Sequence, residues 1–215
     1  MLLLAIDTSA IASAAVIQDE ELLDAFATED TRSHAEVLAL GIGRLLEGRD
    51  TPQAIAVGVG PGPFTGLRSG IATARVLADV WQVPLHGVLS LDALAWAVQT
   101  AAAPPSGEFL VATDARRKEV YWARYAADGT LLAGPNVGAA SELPELPVYG
   151  FGAGIYAEAL AGHAVEEFRA AQPTAAALGL SAAARLRAGQ ALLDSAPQYL
   201  RESDAQVPGP RKRAL

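Results

Sequence analysis

The chain lacks cysteine altogether and contains little histidine. Among its 215 residues there is no Cys, and the histidines are His34, His86 and His163. Without cysteine the chain cannot form disulfides, Cys-based zinc sites, iron–sulfur clusters or a thiol nucleophile. No pair of histidines has the His-x-x-x-His spacing, which excludes a helical zinc site of that kind. We therefore expect neither a bound metal nor a cofactor.

Positive charge is also scarce. The chain has 16 Lys and Arg against 24 Asp and Glu, which gives a net charge of −8. A surface of that sign repels phosphate backbones, so direct binding of tRNA or DNA by this chain alone is not expected. The start has no Lys or Arg before Arg32 and is interrupted by Asp7, unlike a signal peptide. The uncharged stretches contain Gly, Pro or Gln and cannot span a bilayer as helices, so we expect a soluble cytoplasmic protein.

The first hundred residues carry alternating strand and helix signals. Apolar runs bounded by turns predict strands at residues 2–6, 11–17, 22–28, 54–59 and 85–89. Helices are predicted at residues 33–47, 66–81 and 90–101. Ser33 and Glu36 form a capping-box pattern, and Ser90 is predicted to cap the third helix. Three strands followed by alternating helix and strand indicate an α/β fold.

A linker separates this part from a second one with a similar beginning. Residues 101–107, AAAPPSG, have the composition of a linker. An apolar strand then ends at Asp114, as the first strand of the chain ends at Asp7, and each is followed by a turn and another strand. Asp128 and Gly129 predict a hairpin before Leu131, and YGFGAG further on predicts a turn. The similarity of the two beginnings indicates an internal repeat.

The loop before the second helix is rich in glycine. GVGPGPFTG at residues 58–66 joins a strand to a helix N-terminus, where backbone N–H groups can hold phosphate. The loop has no P-loop lysine, and Thr65 stands where the last glycine of G-x-G-x-x-G is needed. A sharp packing turn is therefore favoured over phosphate binding. A vestigial phosphate or nucleotide site would contain Asp7, Thr8, Gly60, Gly62, Thr65 and Asp114.

The helix after this loop carries a stripe of small residues. The stripe repeats every four residues and consists of Gly66, Gly70, Ala74 and Ala78. Such a stripe permits close approach of another element. That element is either the chain's own sheet or a helix of another subunit. The helix at residues 33–47 has a similar apolar band interrupted by glycines.

Three segments together resemble the bacterial TsaB (YeaZ) family. They are LLAIDTS at residues 3–9, GVGPGPFTGLRSGIATARVLA at residues 58–78 and DARRKEVYWARY at residues 114–125. HAE at residues 34–36 and PQYLR at residues 197–201 extend the resemblance, in order, over nearly the whole chain. GPGPFTGLRSG is close to diagnostic of the family.

The resemblance implies a fold and a domain division. The fold is the actin/sugar-kinase/Hsp70-like (ASKHA) fold, with two duplicated βββαβαβα-type halves of which the second is truncated. The halves would comprise residues 1–103 and 104–202, followed by a flexible tail at residues 203–215. A duplication of this kind would account for the matching positions of Asp7 and Asp114.

The resemblance also implies a function. The family takes part in making N6-threonylcarbamoyladenosine in tRNA, with catalysis, metal and nucleotide belonging to a related partner, TsaD, and with the small ATPase TsaE joining the assembly. This chain would be a non-catalytic subunit that pairs with TsaD, or with a second copy of itself, through its first-half helices. The predicted pairing residues are His34, Leu38, Ile42, Gly66, Leu67, Gly70, Ile71 and Ala74.

Other functions remain open at this stage. An ATP-dependent phosphotransferase of the same fold would use Asp7, Asp114 and the loop at residues 60–66. A protease, an activity once attached to relatives of the family, is disfavoured because the chain has no Gly-x-Ser-x-Gly motif and no pair of metal-ligand histidines. A purely structural homodimer is the third alternative. The basic cluster at residues 116–118 could contact TsaE, tRNA or only solvent.

Overall fold

The structure, a computed structural model, describes residues 1–28 and 34–201 of the chain. Its first half has the predicted order of three strands followed by alternating helix and strand. The elements are β1 Leu2–Asp7, β2 Ser13–Gln18, β3 Glu21–Ala27, α1 His34–Leu46, β4 Ala54–Gly58, α2 Phe64–Trp81, β5 Leu85–Val88 and α3 Ser90–Gln99. The capping-box side chains of Ser33 and Glu36 and the predicted tail at residues 203–215 are outside the described part of the chain.

The second half repeats this order in a shortened form. Its strands and helices are β6 Phe109–Asp114, β7 Glu119–Tyr125, β8 Leu131–Ala139, β9 Val148–Tyr149, α4 Phe151–Ile155 and α5 Ala175–Arg187. The hairpin predicted at Asp128 and Gly129 is confirmed, since Gly129 has a positive φ of 78° between β7 and β8. The turn predicted at YGFGAG is wrong beyond Gly150, because the chain enters α4 directly after that residue.

Each half contains one mixed sheet with the same internal order. The strand order is β3-β2-β1-β4-β5 in the first sheet and β8-β7-β6-β9 in the second. β1 pairs antiparallel with β2 and parallel with β4, and β6 pairs in the same way with β7 and β9. Asp7 and Asp114 therefore occupy equivalent strand ends. The duplicated ASKHA-type α/β fold is confirmed, and the described part of the second sheet has no counterpart of β5.

Helices cover both faces of the first sheet. On one face, α1 and α2 pack on the strands in a cluster that includes Leu4, Ile6, Leu38, Ile42, Val57, Leu67, Ile71 and Ala74. On the other face, α5 packs in a cluster that includes Leu3, Ala5, Ile17, Leu178 and Ala182. Because both faces are covered, β1 and β4 are buried along their whole length. This is why their sequences are continuous apolar runs and not alternating patterns.

Two helices each pack on the sheet of the other half. α3 precedes the linker in sequence but packs on the second sheet, where Leu91, Leu94 and Val98 contact Phe109 and Tyr125. α5 follows the second sheet in sequence but packs on the first. The two sheets are thereby tied together by reciprocal helix packing. Within the described ranges, the helices are too short or too polar to cross a membrane.

Candidate functional site

Asp7 lies in a fully buried polar cluster at the end of β1. Its Oδ1 accepts hydrogen bonds from the backbone N–H of Ser9 at 2.9 Å and from the Ser9 hydroxyl at 2.7 Å. Its Oδ2 accepts a hydrogen bond from the Ser90 hydroxyl at 2.6 Å. The prediction that Ser90 caps α3 is therefore wrong, because its hydroxyl is directed at Asp7 and Leu89 occupies the N-cap position.

Thr8 fastens the end of β1 to the N-terminus of α2. Its hydroxyl donates to the Gly66 carbonyl at 2.7 Å and accepts from the Gly70 N–H at 3.2 Å. A Cβ atom at Gly70 would overlap the Thr8 side chain, and a Cβ atom at Gly62 would overlap the backbone of Ser9. Both glycines are needed for close packing within the chain. For Gly62 in the loop this is the alternative favoured from the sequence, whereas for Gly70 in the stripe the sequence left the packing partner open.

Gly60 belongs to the same cluster, whereas Thr65 does not. The Ser90 N–H donates to the Gly60 carbonyl at 2.8 Å, and the Gly60 N–H donates to the Ser90 hydroxyl at 3.3 Å. Thr65 is exposed on the first turn of α2. The structure thus brings together four residues of the predicted vestigial site, namely Asp7, Thr8, Gly60 and Gly62. The polar groups of Asp7, Thr8 and Gly60 bond to neighbouring groups of the chain itself.

Asp114 occupies the matching position in the second half. Its Oδ1 accepts from the Arg116 N–H at 2.8 Å and from the Tyr156 hydroxyl at 3.2 Å. Arg116, Arg117 and Lys118 form an exposed turn in which all have positive φ, at 63°, 57° and 66°. This conformation is uncommon for residues other than glycine, and the bond to Asp114 helps to hold it. Among the described residues, no group of His, Asp and Glu side chains is arranged to hold a metal ion.

Most of the residues predicted to bind a partner are buried within the chain. They are Leu38, Ile42, Gly66, Leu67, Gly70, Ile71 and Ala74. This side of α1 and α2 faces the chain's own sheet and the end of β1, so it cannot form a surface for a partner. The assignment of the small-residue stripe to an external helix is corrected accordingly. His34 is the first residue of α1, and its side chain is outside the described part.

The opposite side of the same two helices carries apolar side chains in solvent. We define the outward face by its exposed residues, which are Ala39, Leu40 and Gly43 on α1 and Ala72, Val76 and Val80 on α2. Leu40 and Val80 are each 68% exposed, and Val76 is 62% exposed. The alanines and Gly43 add little bulk, so another helix can approach closely. Several apolar side chains are thus grouped in solvent on one side of two neighbouring helices.

A later segment of the chain lies beside α2 and β5. We call it the strap and define it as residues 193–201. It pairs with β5 through backbone hydrogen bonds between Leu193 and Gly87, and the Gln198 N–H donates to the Val59 carbonyl at 2.8 Å. Arg201 at its end forms an ion pair with Glu119 on β7. Sequence reasoning recognised part of this segment as a motif but assigned it no contact.

A second, partly buried polar cluster joins α3, α5 and β7. Asp92 Oδ1 accepts from the Tyr125 hydroxyl at 2.8 Å, and Asp92 Oδ2 accepts from the Arg185 guanidinium at 3.2 Å. Burial raises the pKa of the Asp92 carboxyl, and the Tyr125 hydrogen bond and the Arg185 charge oppose that rise. The three side chains line a cleft of about 460 Å³ together with Trp96 and Ser181. Sequence reasoning missed this cluster.

We expect Arg185→Met to destabilise the chain by ~2 kcal/mol near neutral pH, because Asp92 is left as a largely buried carboxylate without its ion pair. Because its pKa is raised in the folded chain, the Asp92 carboxyl binds a proton at higher pH there than in the unfolded chain. The deficit should therefore shrink as the pH falls from neutral towards 3.8, the ordinary pKa of an aspartate carboxyl, because protonation of Asp92 removes the unpaired charge. Urea unfolding of both proteins across this range measures it.

The matched control for this prediction is Arg187→Met on the same helix. Arg187 pairs with Glu20 at the surface, where its side chain is 77% exposed. An exposed pair contributes less than about 1 kcal/mol, so the control should unfold nearly as the wild type does. A deficit of the Arg185 variant that stays constant with pH, or equals that of the control, would show that Asp92 does not depend on Arg185.

A family model and several protein sequences match this chain. The family model described as TsaD, tRNA N6-adenosine threonylcarbamoyltransferase, matches residues 27–185. An uncharacterized protein of Mycobacterium tuberculosis is 42% identical over 94% of this chain and 93% of its own length. An uncharacterized protein of Mycobacterium leprae is 42% identical over 66% of this chain, which spans 40% of that longer protein. The tRNA threonylcarbamoyladenosine biosynthesis protein TsaB of Escherichia coli is 34% identical over 60% of this chain and 56% of its own length.

Two solved structures from Pseudomonas aeruginosa share the fold over nearly their whole length. One is described as an uncharacterized protein with similarity to peptidase YEAZ. It has a TM-score of 0.80 and 29% identity, and the match covers 93% of this chain and 99% of that one. The other is YeaZ, with a TM-score of 0.77 and 28% identity, and this match covers 92% of this chain and 100% of that one.

Proposed function

The chain belongs to the TsaB (YeaZ) family, and on this basis we propose that it takes part in the synthesis of threonylcarbamoyladenosine in tRNA. In this proposal it is an accessory subunit without catalysis of its own, and it pairs with a transferase of the TsaD type. The name of the Escherichia coli relative, a tRNA threonylcarbamoyladenosine biosynthesis protein, supports the assignment to this modification.

The observation that carries the pairing proposal is the outward face of α1 and α2. Its largest side chains, Leu40, Val76 and Val80, are mostly exposed although they are apolar. Adjacent residues on both helices are small, which favours a helix-on-helix contact with closely spaced backbones. Burial of such a face in a complex removes apolar surface from water and stabilises association. We therefore propose the outward face as the pairing surface, in place of the buried stripe of small residues that the sequence singled out.

The geometry of the two strand ends supports an accessory role. A nucleotide-binding member of this fold needs polar groups that point at a phosphate. Here Asp7 and Thr8 bond to Ser9, Ser90 and the backbone of α2, and both are buried. The matching Asp114 bonds to the turn that follows it and to a tyrosine. Breaking these bonds to admit a phosphate would cost free energy.

We therefore expect no micromolar binding of Mg-ATP to the isolated chain. Calorimetric titration should give only heats of dilution, whereas a TsaD-type transferase titrated in parallel serves as the positive control. Saturable binding with a micromolar Kd would favour the alternative of an ATP-dependent phosphotransferase. It would also contradict a purely structural role for the Asp7 cluster.

The proposal includes other partners of the assembly. A small ATPase of the TsaE type joins the pair, and in the absence of a transferase the outward face of one copy covers that of another in a homodimer. Direct contact with tRNA is left to the partners, because the net charge of −8 opposes binding to a phosphate backbone.

Depletion of the protein in its own organism tests the modification assignment. Nucleosides from bulk tRNA are quantified by mass spectrometry before and after depletion. We expect threonylcarbamoyladenosine to fall while an unrelated modified nucleoside stays constant, and re-expression of the wild-type chain to restore it. An unchanged level of threonylcarbamoyladenosine in depleted cells would refute the proposed function.

A further inference from the structure

Two arginines on α2 are held in place by the strap. The Arg68 Nε donates to the Tyr199 hydroxyl at 2.9 Å, and its guanidinium carbon lies 5.5 Å from the Phe64 ring centre and 5.6 Å from the Tyr199 ring centre. Two turns later, Arg75 donates from Nε to the Ser195 hydroxyl at 3.0 Å and from Nη2 to the Ser195 carbonyl at 2.7 Å. Both guanidinium groups are therefore oriented before any partner binds.

These arginines remain exposed although they are oriented. A guanidinium has about five N–H donors, so the bonds to the strap leave others that can meet a carboxylate in the bidentate geometry. α2 has no acidic residue in its first turn, and Asp79 is the one acid in its sequence. α2 thus presents two exposed arginines and one exposed aspartate on a chain whose net charge is −8, and the strap adds the exposed Asp194 beside Ser195.

The arginines border the outward face. α1 contacts β2 and β3, α2 contacts β4 and β5, and the strap pairs with β5, so the three segments follow one another across the sheet. On α2, residues four apart lie one above the other, which places Arg68 in line with Ala72 and Val76. A helix that covers Ala72 and Val76 would therefore pass beside both arginines.

We propose that the strap is a third element of the partner-binding surface, and that Arg68 and Arg75 receive carboxylates from a partner helix. The occupant is thus defined by its chemistry, as a helix with an apolar contact face and Asp or Glu side chains along one edge. A second copy of this chain presents the carboxylate of Asp79 alone on its α2, so it satisfies this requirement poorly. The inference rests on the proposed pairing, and it adds that the surface selects a partner helix with acidic side chains.

The test measures association of the purified full chain with the TsaD-type transferase of the same organism at several NaCl concentrations. We expect the combined variant Arg68→Gln with Arg75→Gln to bind about tenfold more weakly at low salt, mainly through a slower association rate. At high salt the variant and the wild type should converge, because salt screens the charge pairs. Arg187→Gln, which removes an exposed charge on α5, is the matched control and should behave as the wild type.

A second variant separates charge from a structural effect of the strap. Arg68→Lys with Arg75→Lys keeps both charges and should recover most of the salt dependence, although it loses the bidentate geometry. Failure of the wild-type chain to bind the transferase at any salt concentration would refute the proposed pairing itself. Wild-type binding together with a glutamine variant that binds equally well, or is weakened equally at every salt concentration, would overturn the charge inference alone.

Discussion

The Val76→Asp variant is expected to lose its partner while keeping its fold. Val76 is 62% exposed on α2, so an aspartate there meets water in the free chain and changes the free energy of unfolding by about 0.5 kcal/mol. In the complex the same carboxylate would lose its hydration in the middle of an apolar contact. We expect the affinity for the TsaD-type transferase to fall at least about 100-fold.

Calorimetry or analytical ultracentrifugation of the purified pair measures this loss, and thermal unfolding of the free variant checks its fold. Ile155→Asp provides the matched control. Ile155 is 45% exposed at the end of α4, far in sequence from the outward face, and its replacement should leave binding unchanged. Wild-type affinity of the Val76 variant would show that the outward face is not the pairing surface.

The Gly70→Arg variant is expected to unfold the chain. The Gly70 N–H donates to the Thr8 hydroxyl, and a Cβ atom at this position would overlap that side chain. A long charged side chain directed into the packed face between α2 and the end of β1 also buries a charge without a partner. We expect a loss of at least about 4 kcal/mol, a large part of the ~5–15 kcal/mol that stabilises a typical domain.

Gly43 offers a control for the effect of adding a side chain to a helical glycine. A Cβ atom at Gly43 has no atom within 4 Å, so Gly43→Ala should raise the free energy of unfolding by ~0.5–1 kcal/mol through helix propensity. Urea unfolding monitored by circular dichroism measures both variants. A Gly70→Arg chain that folds with nearly wild-type stability would show that the stripe on α2 is open to solvent or to a partner.

The internal repeat could be predicted from local patterns, whereas the duplicated ASKHA-type fold was implied by the family resemblance. Strands β1 and β6 are apolar runs that each end in an aspartate, and each is followed by a turn and a second strand. A strand covered by helices on both faces requires a continuous apolar run, so the run itself indicates a central strand of the sheet. The short second half was harder to predict, because α4 comprises five residues and its Gly-rich start resembles a turn.

The inward side of α2 could not be predicted from the helical period. Gly66, Gly70 and Ala74 repeat every four residues, and so do Ala72, Val76 and Val80 on the opposite side. Bulk alone favours burial of the valines. The side with the small residues is buried instead, because the end of β1 approaches the helix backbone so closely at Thr8 that only small residues fit. That approach is a contact between distant parts of the chain and leaves no local signal.

The same reason explains the polar clusters that sequence reasoning missed. Three separate elements contribute Asp92, Tyr125 and Arg185. These side chains are in contact because α3 packs on the second sheet and α5 on the first. Asp92 and Arg185, each taken alone, have the pattern of ordinary surface positions on their helices. Ser90 similarly has the pattern of a helix cap, and its bond to Asp7 depends on the sheet that brings β1 beside the start of α3.

Reconstitution of the tRNA modification from purified proteins is the decisive experiment for the proposed accessory role. Unmodified tRNA, the TsaD-type transferase, the TsaE-type ATPase and threonylcarbamoyl-adenylate are combined with or without this chain, and threonylcarbamoyladenosine is measured by mass spectrometry. We expect product with the wild-type chain, little product with the Val76→Asp variant, and none when the transferase is omitted. Equal product in the absence of this chain, or product from this chain without the transferase, would contradict the proposed role.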